Sequence, residues 1–505
     1  MSRFQVFIAA LWCIFGCACE ARHAGVEDDA VYKAEGIAVY SDSVVLDGVT
    51  YVARSAHEIA VISNNGKANG MSVLMVSATG ADGRPGDADG MSDGAGGAGN
   101  YPEYTSAAMM GNALWNRAME RWGDERLATQ QIALGRALTD PERSMEALRE
   151  MAPKGIIERP GFPVRTAHEG WAAAAWQVYC ATGDMQWLRE AYRIATASYN
   201  KMRNVMRQPG EVMVHGLPWY LSEEDGGLPE WMNESDRYQC VSVSTNAWMY
   251  ASLRAMALMA KELNLKTHSE WEIEAARLRE AINDTFWEPA KAHYGSYTYG
   301  DYYSIPSPQC DNIANPLCVL LGIATNEMAS AAMGSREMTP RGMPTLNPVG
   351  NAEGGKPMAA VQLLQGLGAA RTGRGELMSQ AIGILWGMAL QDSSATDWPM
   401  MVMRGYFGLE MTAEGLWARP VIPESLPWPR TLKGVRYREA TVDISVRGTG
   451  DRIASVMLDS ASVEHAMVPA RLKGHHTLDI TISGNSIAGD DVMGGNGANI
   501  VAKVS

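Results

Sequence analysis

Phe162-Pro-Val-Arg-Thr-Ala-His-Glu-Gly-Trp-Ala-Ala-Ala-Ala-Trp-Gln-Val-Tyr179, followed by Ala181-Thr-Gly-Asp184 and Trp187-Leu-Arg-Glu-Ala-Tyr192, reads as two helices joined by a tight turn. Trp171, Ala174, Val178 and Tyr179 fall at helical spacing, and the glycine between Thr182 and Asp184 breaks the pattern before it resumes over 184–206. The same period extends in both directions. Met110, Leu114, Ala118 and Trp122 form one stripe, and Leu127, Ile132, Leu134 and Leu138 begin another. Further helices are expected over 142–151, 244–264, 269–286, 312–324, 326–333, 357–371, 375–390 and 397–408. Several are apolar on more than one side, which predicts helical hairpins closing on one another rather than an open bundle. About twelve helices make six hairpins. The turn at 181–184 is short, whereas 207–243 and 287–311 are long and rich in Gly, Pro, Trp and Tyr. Long loops gathered on one rim are where such a ring would keep its chemistry.

The flanks carry a different period. Gly36-Ile-Ala-Val-Tyr-Ser41 and Val44-Val-Leu-Asp-Gly-Val-Thr-Tyr-Val52 alternate around an Asp-Gly turn, predicting a small β region over 31–79. Residues 80–100 concentrate glycine and aspartate and read as a linker. Asp82, Asp87 and Asp89 lack the glutamate that a calcium loop requires. After the helical region, taken as 101–408, β signals return over 409–505. Val435-Arg-Tyr-Arg-Glu-Ala-Thr-Val-Asp-Ile-Ser-Val446, Ile453-Ala-Ser-Val-Met-Leu-Asp459 and Leu478-Asp-Ile-Thr-Ile482 predict an antiparallel β-sandwich. The expected fold is therefore mainly α, an (α/α) six-hairpin toroid between a small N-terminal β region and a C-terminal antiparallel β-sandwich.

Composition narrows the function classes. A net charge of -14 with dispersed Lys and Arg opposes binding to nucleic acid. Fifteen Trp and 18 Tyr against 6 Phe favour flat rings with a polar handle, which suit sugar faces as well as cores. Met1-Ser-Arg3, the apolar run Phe4 to Gly16 and Cys17-Ala-Cys-Glu-Ala21 follow the order of an export signal over 1–21, with a lipid anchor at Cys17 left open. No later stretch reaches the roughly 18 uninterrupted apolar residues of a membrane-spanning helix. The expected location is periplasmic, extracellular or outer-membrane-anchored. Cys180, Cys240, Cys310 and Cys318 allow a disulfide but have no metal-site spacing, so neither a metal nor another cofactor is expected. No phosphate loop is present, and Gly94 to Gly99 follows no strand.

The 162–192 segment resembles the second hairpin of bacterial six-hairpin glycosidases, a group that includes α-L-rhamnosidase-like and glycogen-debranching-like enzymes. Asn312-Ile-Ala-Asn-Pro-Leu-Cys-Val-Leu-Leu-Gly-Ile-Ala324 resembles the same group. So do Arg404-Gly-Tyr-Phe-Gly-Leu409, Gly415-Leu-Trp-Ala-Arg-Pro-Val-Ile-Pro423, Lys433-Gly-Val-Arg-Tyr-Arg438 and Lys473-Gly-His-His476 at the closing helix and β domain. The resemblance runs from about Tyr101 to Ile482 and is one of fold, which does not fix the reaction. It implies a carbohydrate substrate bound in the toroid's funnel.

Glycoside hydrolysis needs an acid to protonate the leaving oxygen and, for inversion, a second carboxylate to activate water. The segment from Trp219 to Tyr238 is the richest source, with Glu224, Asp225, Glu230 and Asp236 among Trp219, Tyr220 and Trp231, and with Arg237 beside them. Carboxylates crowded beside Trp can raise one another's pKa, although acidic residues ahead of a helix also serve as caps. Asp236 matches an aspartate of the family's Trp-Met-x-x-x-Asp pattern. The acid stays open among Glu224, Asp225, Glu230 and Asp236, and the base among Glu353, Asp392 and Asp397. His168 and Glu169 stand where the resemblance implies an Asp-Arg pair, Leu127 follows Arg126 where an aspartate is implied, and Gly354-Gly-Lys-Pro-Met358 lacks the family's Trp. The sequence thus carries two functional readings. One is an exported, exo-acting and inverting glycoside hydrolase; the other is a carbohydrate-binding protein that keeps the toroid with an impaired site. A lyase or epimerase on a related toroid ranks behind both.

Overall fold

The computed structural model describes residues 125–152, 170–206, 210–218, 220–221, 228–229, 231–232, 236, 239–300, 304–335, 338–348, 358–391, 397–426 and 431–484, together with the backbone of six strands between residues 32 and 75. The leader, Cys17, the 80–100 segment and the 110–122 stripe lie outside the described residues.

Helices alternate between two kinds of burial. α1 runs as Glu125–Gln131, a π-helical stretch Ile132–Arg136 and a last turn Ala137–Thr139. α2 covers Pro141–Met151, α3 Trp171–Thr182, α4 Met185–Met206, α5 Val243–Glu262 and α6 His268–Phe286. α7 covers Ala314–Leu320, α8 Asn326–Gly334, α9 Ala359–Arg371 and α10 Gly375–Gln391, and α11 joins Asp397–Met400 to a second π-helical stretch, Met401–Tyr406. In α3 every residue from Trp171 to Ala181 is buried. In α6 the buried residues are Trp271, Ala275, Leu278, Ile282 and Phe286, a single stripe. A helix apolar all round must sit inside, and one with a single stripe must face solvent on its other side.

The odd-numbered helices form the inner ring, and named contacts close it. Between α3 and α5, the Gly170 N–H donates to Ser252 Oγ (3.2 Å) and the Tyr179 hydroxyl to Glu262 Oε1 (2.7 Å). α5 packs on α7. Gln365 Nε2 of α9 donates to the carbonyl of Asn312, just ahead of α7 (2.7 Å). Gly366 of α9 lies against Met401 of α11. The last helix returns to the first: Gln131 Nε2 donates to Asp397 Oδ1 (3.3 Å), and Gly135 faces Met400 and Arg404. Six inner helices therefore close on themselves, with five outer partners among the described residues. The stripe read as one helix from Leu127 is broken by the π-helical stretch, which admits Arg404 and Met400 at Gly135. The helix expected over 312–324 is shorter because Asp311 caps its start and Gly322, at φ 73°, ends the run.

β1 (Tyr32–Ala34), β2 (Ile37–Val39), β3 (Ser43–Leu46), β4 (Val49–Ser55) and β5 (Glu58–Ile62) pair in order as an antiparallel meander. β6 (Val73–Met75) leaves it and pairs with β16 (Thr431–Tyr437). Short strands lie between the helices: β7 (Val241–Ser242), β8 (Trp287–Glu288), β9 (His293–Tyr294), β10 (Tyr297–Tyr299), β11 (Ile305–Pro306), β12 (Cys310–Asp311) and β13 (Leu346–Asn347). After α11, β14 (Leu409–Met411) and β15 (Gly415–Ala418) join β20 (Met467–Pro469) in one sheet. β19 (Ala461–Val463), β18 (Ile453–Leu458), β21 (Gly474–Ile482), β17 (Ala440–Arg447), β16 and β6 form a second sheet in that order. Ala440, Val442, Ile444 and Val446 are buried at period two, as the alternation requires. The expected antiparallel pairing holds except between β17 and β21, which run parallel because the chain passes through β18, β19 and β20 before it returns. Arg438, at the β16–β17 turn, reaches the helical ring: its N–H donates to the carbonyl of Ala181 and its Nε to that of Cys180 (2.9 and 3.2 Å), covering the end of α3. The disulfide that the sequence allowed does not form among Cys180, Cys240, Cys310 and Cys318, which are buried thiols. Among the described residues no helix is long and apolar enough to cross a membrane.

Candidate functional site

A cavity of about 380 Å³, open solvent included, lies at one end of the ring. Its wall is Gln130, Gln131 and Leu134 of α1, Trp248 of α5, Ile313 just ahead of α7, Ala360, Leu363 and Leu364 of α9, and Asp397 at the start of α11, with Tyr220 from the loop before α5. Four of the inner helices, α1, α5, α9 and α11, thus contribute side chains, most of them from their N-terminal halves, to one space.

The loops on this rim are fixed by a device repeated three times. Asn246 accepts from the Val214 N–H and donates to the Val214 carbonyl (2.8 and 3.0 Å). Asn315 does the same with Tyr294 (2.8 and 3.0 Å), and Gln362 with Met343 (2.9 and 2.8 Å). Each amide sits in the first turn of an inner helix and is completely buried. A buried amide that meets one residue's N–H and C=O behaves like a strand partner, so three chain segments are held at the ring without a continuous sheet. His215 adds a fourth tie, with Nδ1 on the Gln239 carbonyl (2.8 Å) and Nε2 on Glu211 (2.6 Å).

Two buried carboxylates differ in what they can do. Asp311 Oδ1 accepts the N–H groups of Ile313 and Ala314 (2.8 and 2.9 Å), and its Oδ2 accepts the Tyr220 hydroxyl (2.6 Å). Its oxygens are committed to capping α7 and holding the rim loop. Asp397 is 4% exposed in a mostly apolar wall and accepts a hydrogen bond from Gln131. Burial raises its pKa from 3.8 to about 6, partly opposed by the positive charge of Arg136. The same burial lowers Arg136 from 12.5 to about 10, partly opposed by Asp397. An aspartate that exchanges its proton near pH 6 beside a cavity has the chemistry of an acid or base.

Of the residues singled out in the sequence, Tyr220 is brought to the cavity wall, and so is Asp397 from the group of base candidates. Asp236 is half-buried at the rim, where its carbonyl accepts from the Cys240 N–H and thiol (3.1 and 3.2 Å). Trp231 is 60% exposed, and its ring lies 5.5 Å from that of Tyr299. Neither of these two lines the cavity. Glu224, Asp225, Glu230, Glu353, Trp219, Arg237, His168, Glu169 and Asp392 lie outside the described residues. Sequence reasoning missed Gln131, Asp311 and the three amides. Their one local signal is a polar side chain near the start of a helix that is otherwise apolar.

Residues 109–352 match the model of a family described as the mannosylglycerate hydrolase MGH1-like glycoside hydrolase domain. A kojibiose hydrolase from Mucilaginibacter mallensis is 32% identical over 141 residues, 27% of this chain and 19% of that protein. The chain therefore spans about a fifth of the curated relative that it matches. A GH78 family rhamnosidase of Bacillus sp. GL1 superposes at TM-score 0.44 and 13% identity over 72% of this chain and 40% of the other. A GH63 mannosylglycerate hydrolase from Thermus thermophilus, in complex with Tris, superposes at 0.42 and 14% over 56% and 93%.

Proposed function

We propose that the helical body is that of a six-hairpin glycosidase and that the chain is an exported glycoside hydrolase acting on oligosaccharide ends, a reading supported by the glycoside hydrolase family model that residues 109–352 match. The observation that carries the reading is Asp397: a desolvated carboxyl that titrates near pH 6, set beside Gln131 in a mostly apolar wall that four inner helices share. In this proposal Asp397 is the base that draws a proton from water. A carboxyl of the 219–238 loop, among Glu224, Asp225, Glu230 and Asp236, is the acid that protonates the leaving oxygen. Glu353 and Asp392 are the competing bases. Water activated across the ring from the acid gives inversion, for which carboxyl groups about 6.5–9.5 Å apart are needed. In this proposal the cup takes one terminal sugar, which makes the action exo. The apolar run Phe4 to Gly16 supports export.

The test is a panel of aryl glycosides with kojibiose and mannosylglycerate, the substrates named by the relatives, followed by NMR of the first-formed anomer. Asp397→Asn is expected to lower kcat by about a hundredfold or more, the scale of losing a general base. Wild-type kcat/KM is expected to fall on the acid side with a midpoint near pH 6, because a protonated Asp397 cannot accept a proton. Binding of sugar without turnover by the wild type at every pH refutes hydrolysis and supports the carbohydrate-binding reading.

A further inference from the structure

We infer that Trp231 and Tyr299 form an aromatic platform outside the cup that stacks a second sugar ring, so that the site selects neutral oligosaccharides over single glycosides. The inference rests on the glycosidase reading and adds the side of the substrate that lies beyond the cup. A tryptophan that is 60% exposed leaves a large, flat apolar face in water. Trp231 is also held in place. Met232, the next residue, is 1% exposed, with the Cys240 thiol against its sulfur at 3.9 Å. The indole ring leans on Tyr299 at 5.5 Å and an interplanar angle of 57°. Tyr299 in turn lies 6.3 Å from Tyr297, which is 2% exposed.

The strand that carries Tyr299 is tied to the start of a helix that supplies part of the cup's wall. Tyr297 and Thr298 pair with Ser242 and Val241, and the chain passes directly from Ser242 into α5, whose Trp248 lines the cavity. The platform therefore stands on the rim at the same end of the ring. Ile305, paired with Tyr299, extends the apolar surface and is 46% exposed. The axial C–H face of a pyranose matches such a surface, while its hydroxyl edge stays in water. The net charge of -14 disfavours polyanionic chains relative to neutral ones.

The experiment measures kcat/KM for p-nitrophenyl monoglycosides and for α- and β-linked gluco- and manno-oligosaccharides of two to five rings, with wild type, Trp231→Ala, Tyr299→Ala and Tyr299→Phe. For Trp231→Ala, the ratio of kcat/KM on the best oligosaccharide to that on the best monoglycoside is expected to fall about tenfold, through KM, the scale of one stacked ring. Tyr299→Ala is expected to lower it less, and Tyr299→Phe to retain the wild-type ratio. An unaltered ratio in Trp231→Ala overturns the platform. If the wild type hydrolyses no member of the panel, the glycosidase reading fails. The platform is then judged by calorimetric binding of the same oligosaccharides, where equal affinity of wild type and Trp231→Ala overturns it.

Discussion

Replacing Asp397 by asparagine should make the protein less active and should favour its stability relative to the wild type more at neutral pH than in acid. Burial raises the carboxyl from 3.8 to about 6, so the native state holds this proton to higher pH than the unfolded chain does. Stability then falls as pH rises between those two values, and the full cost of ionising Asp397 is about 3 kcal/mol. Asparagine keeps an oxygen for Gln131 Nε2 and carries no proton to lose. The attraction between the ionised carboxylate and Arg136 exists only above about pH 6 and is already contained in that value, while Arg136, held near 10, stays charged over the acid and neutral range. Denaturant unfolding of both proteins at pH 4 and pH 7.5 isolates the effect. The difference in unfolding free energy, variant minus wild type, should grow by about 2–3 kcal/mol toward pH 7.5, because part of the cost is already present at pH 4. A pH-independent difference would mean that Asp397 titrates as an ordinary surface carboxylate and would remove its role as the cup's base.

Three further outcomes follow from the same geometry. Tyr220→Phe deletes the hydroxyl that donates to Asp311 at 2.6 Å. It should cost about 1–3 kcal/mol in thermal or denaturant unfolding and raise KM as the rim loop loosens. Asn246→Leu strips partners from the N–H and C=O of Val214 and from the Ser242 carbonyl, all within 3.0 Å, and should cost about 2–4 kcal/mol, read as a lowered denaturant midpoint. At Gly170, with φ 89°, an added Cβ would stand 2.8 Å from Trp248 Cε3. Gly170→Ala should destabilise by about 1–3 kcal/mol and shift Trp248 on the cavity wall, changing the intrinsic fluorescence and KM together.

How much of this was legible in the sequence depends on the range over which each feature is decided. The single stripe of α6 and the all-round burial of α3 are written in spacing, because each helix meets its ring neighbours through its own side chains. The π-helical stretch at Ile132–Arg136 is not written locally. It answers to Met400 and Arg404, which arrive from the other end of the ring. The parallel pairing of β17 with β21 is likewise set by the path through three intervening strands, and alternation alone carries no strand direction.

The site divides along the same line. Tyr220 and Asp397 were visible as an aromatic and a carboxylate in rim loops, but nothing near them in the chain distinguishes Asp397 from Asp311. The first lies in a wall that other elements of the ring share, and burial pushes it toward neutrality. The second receives two backbone N–H groups and a hydroxyl and becomes a cap. Residue type therefore nominates candidates, and the convergence of the inner helices assigns their chemistry. Asn246, Asn315 and Gln362 stand on both sides of that division. They break apolar helices at positions that composition explains only as helix starts, and they acquire a function when three distant loops present a paired N–H and C=O to them. Because these amides hold the rim independently of the carboxylates, changes at Asn246 should act on stability and KM, whereas changes at Asp397 should act on kcat and its pH dependence.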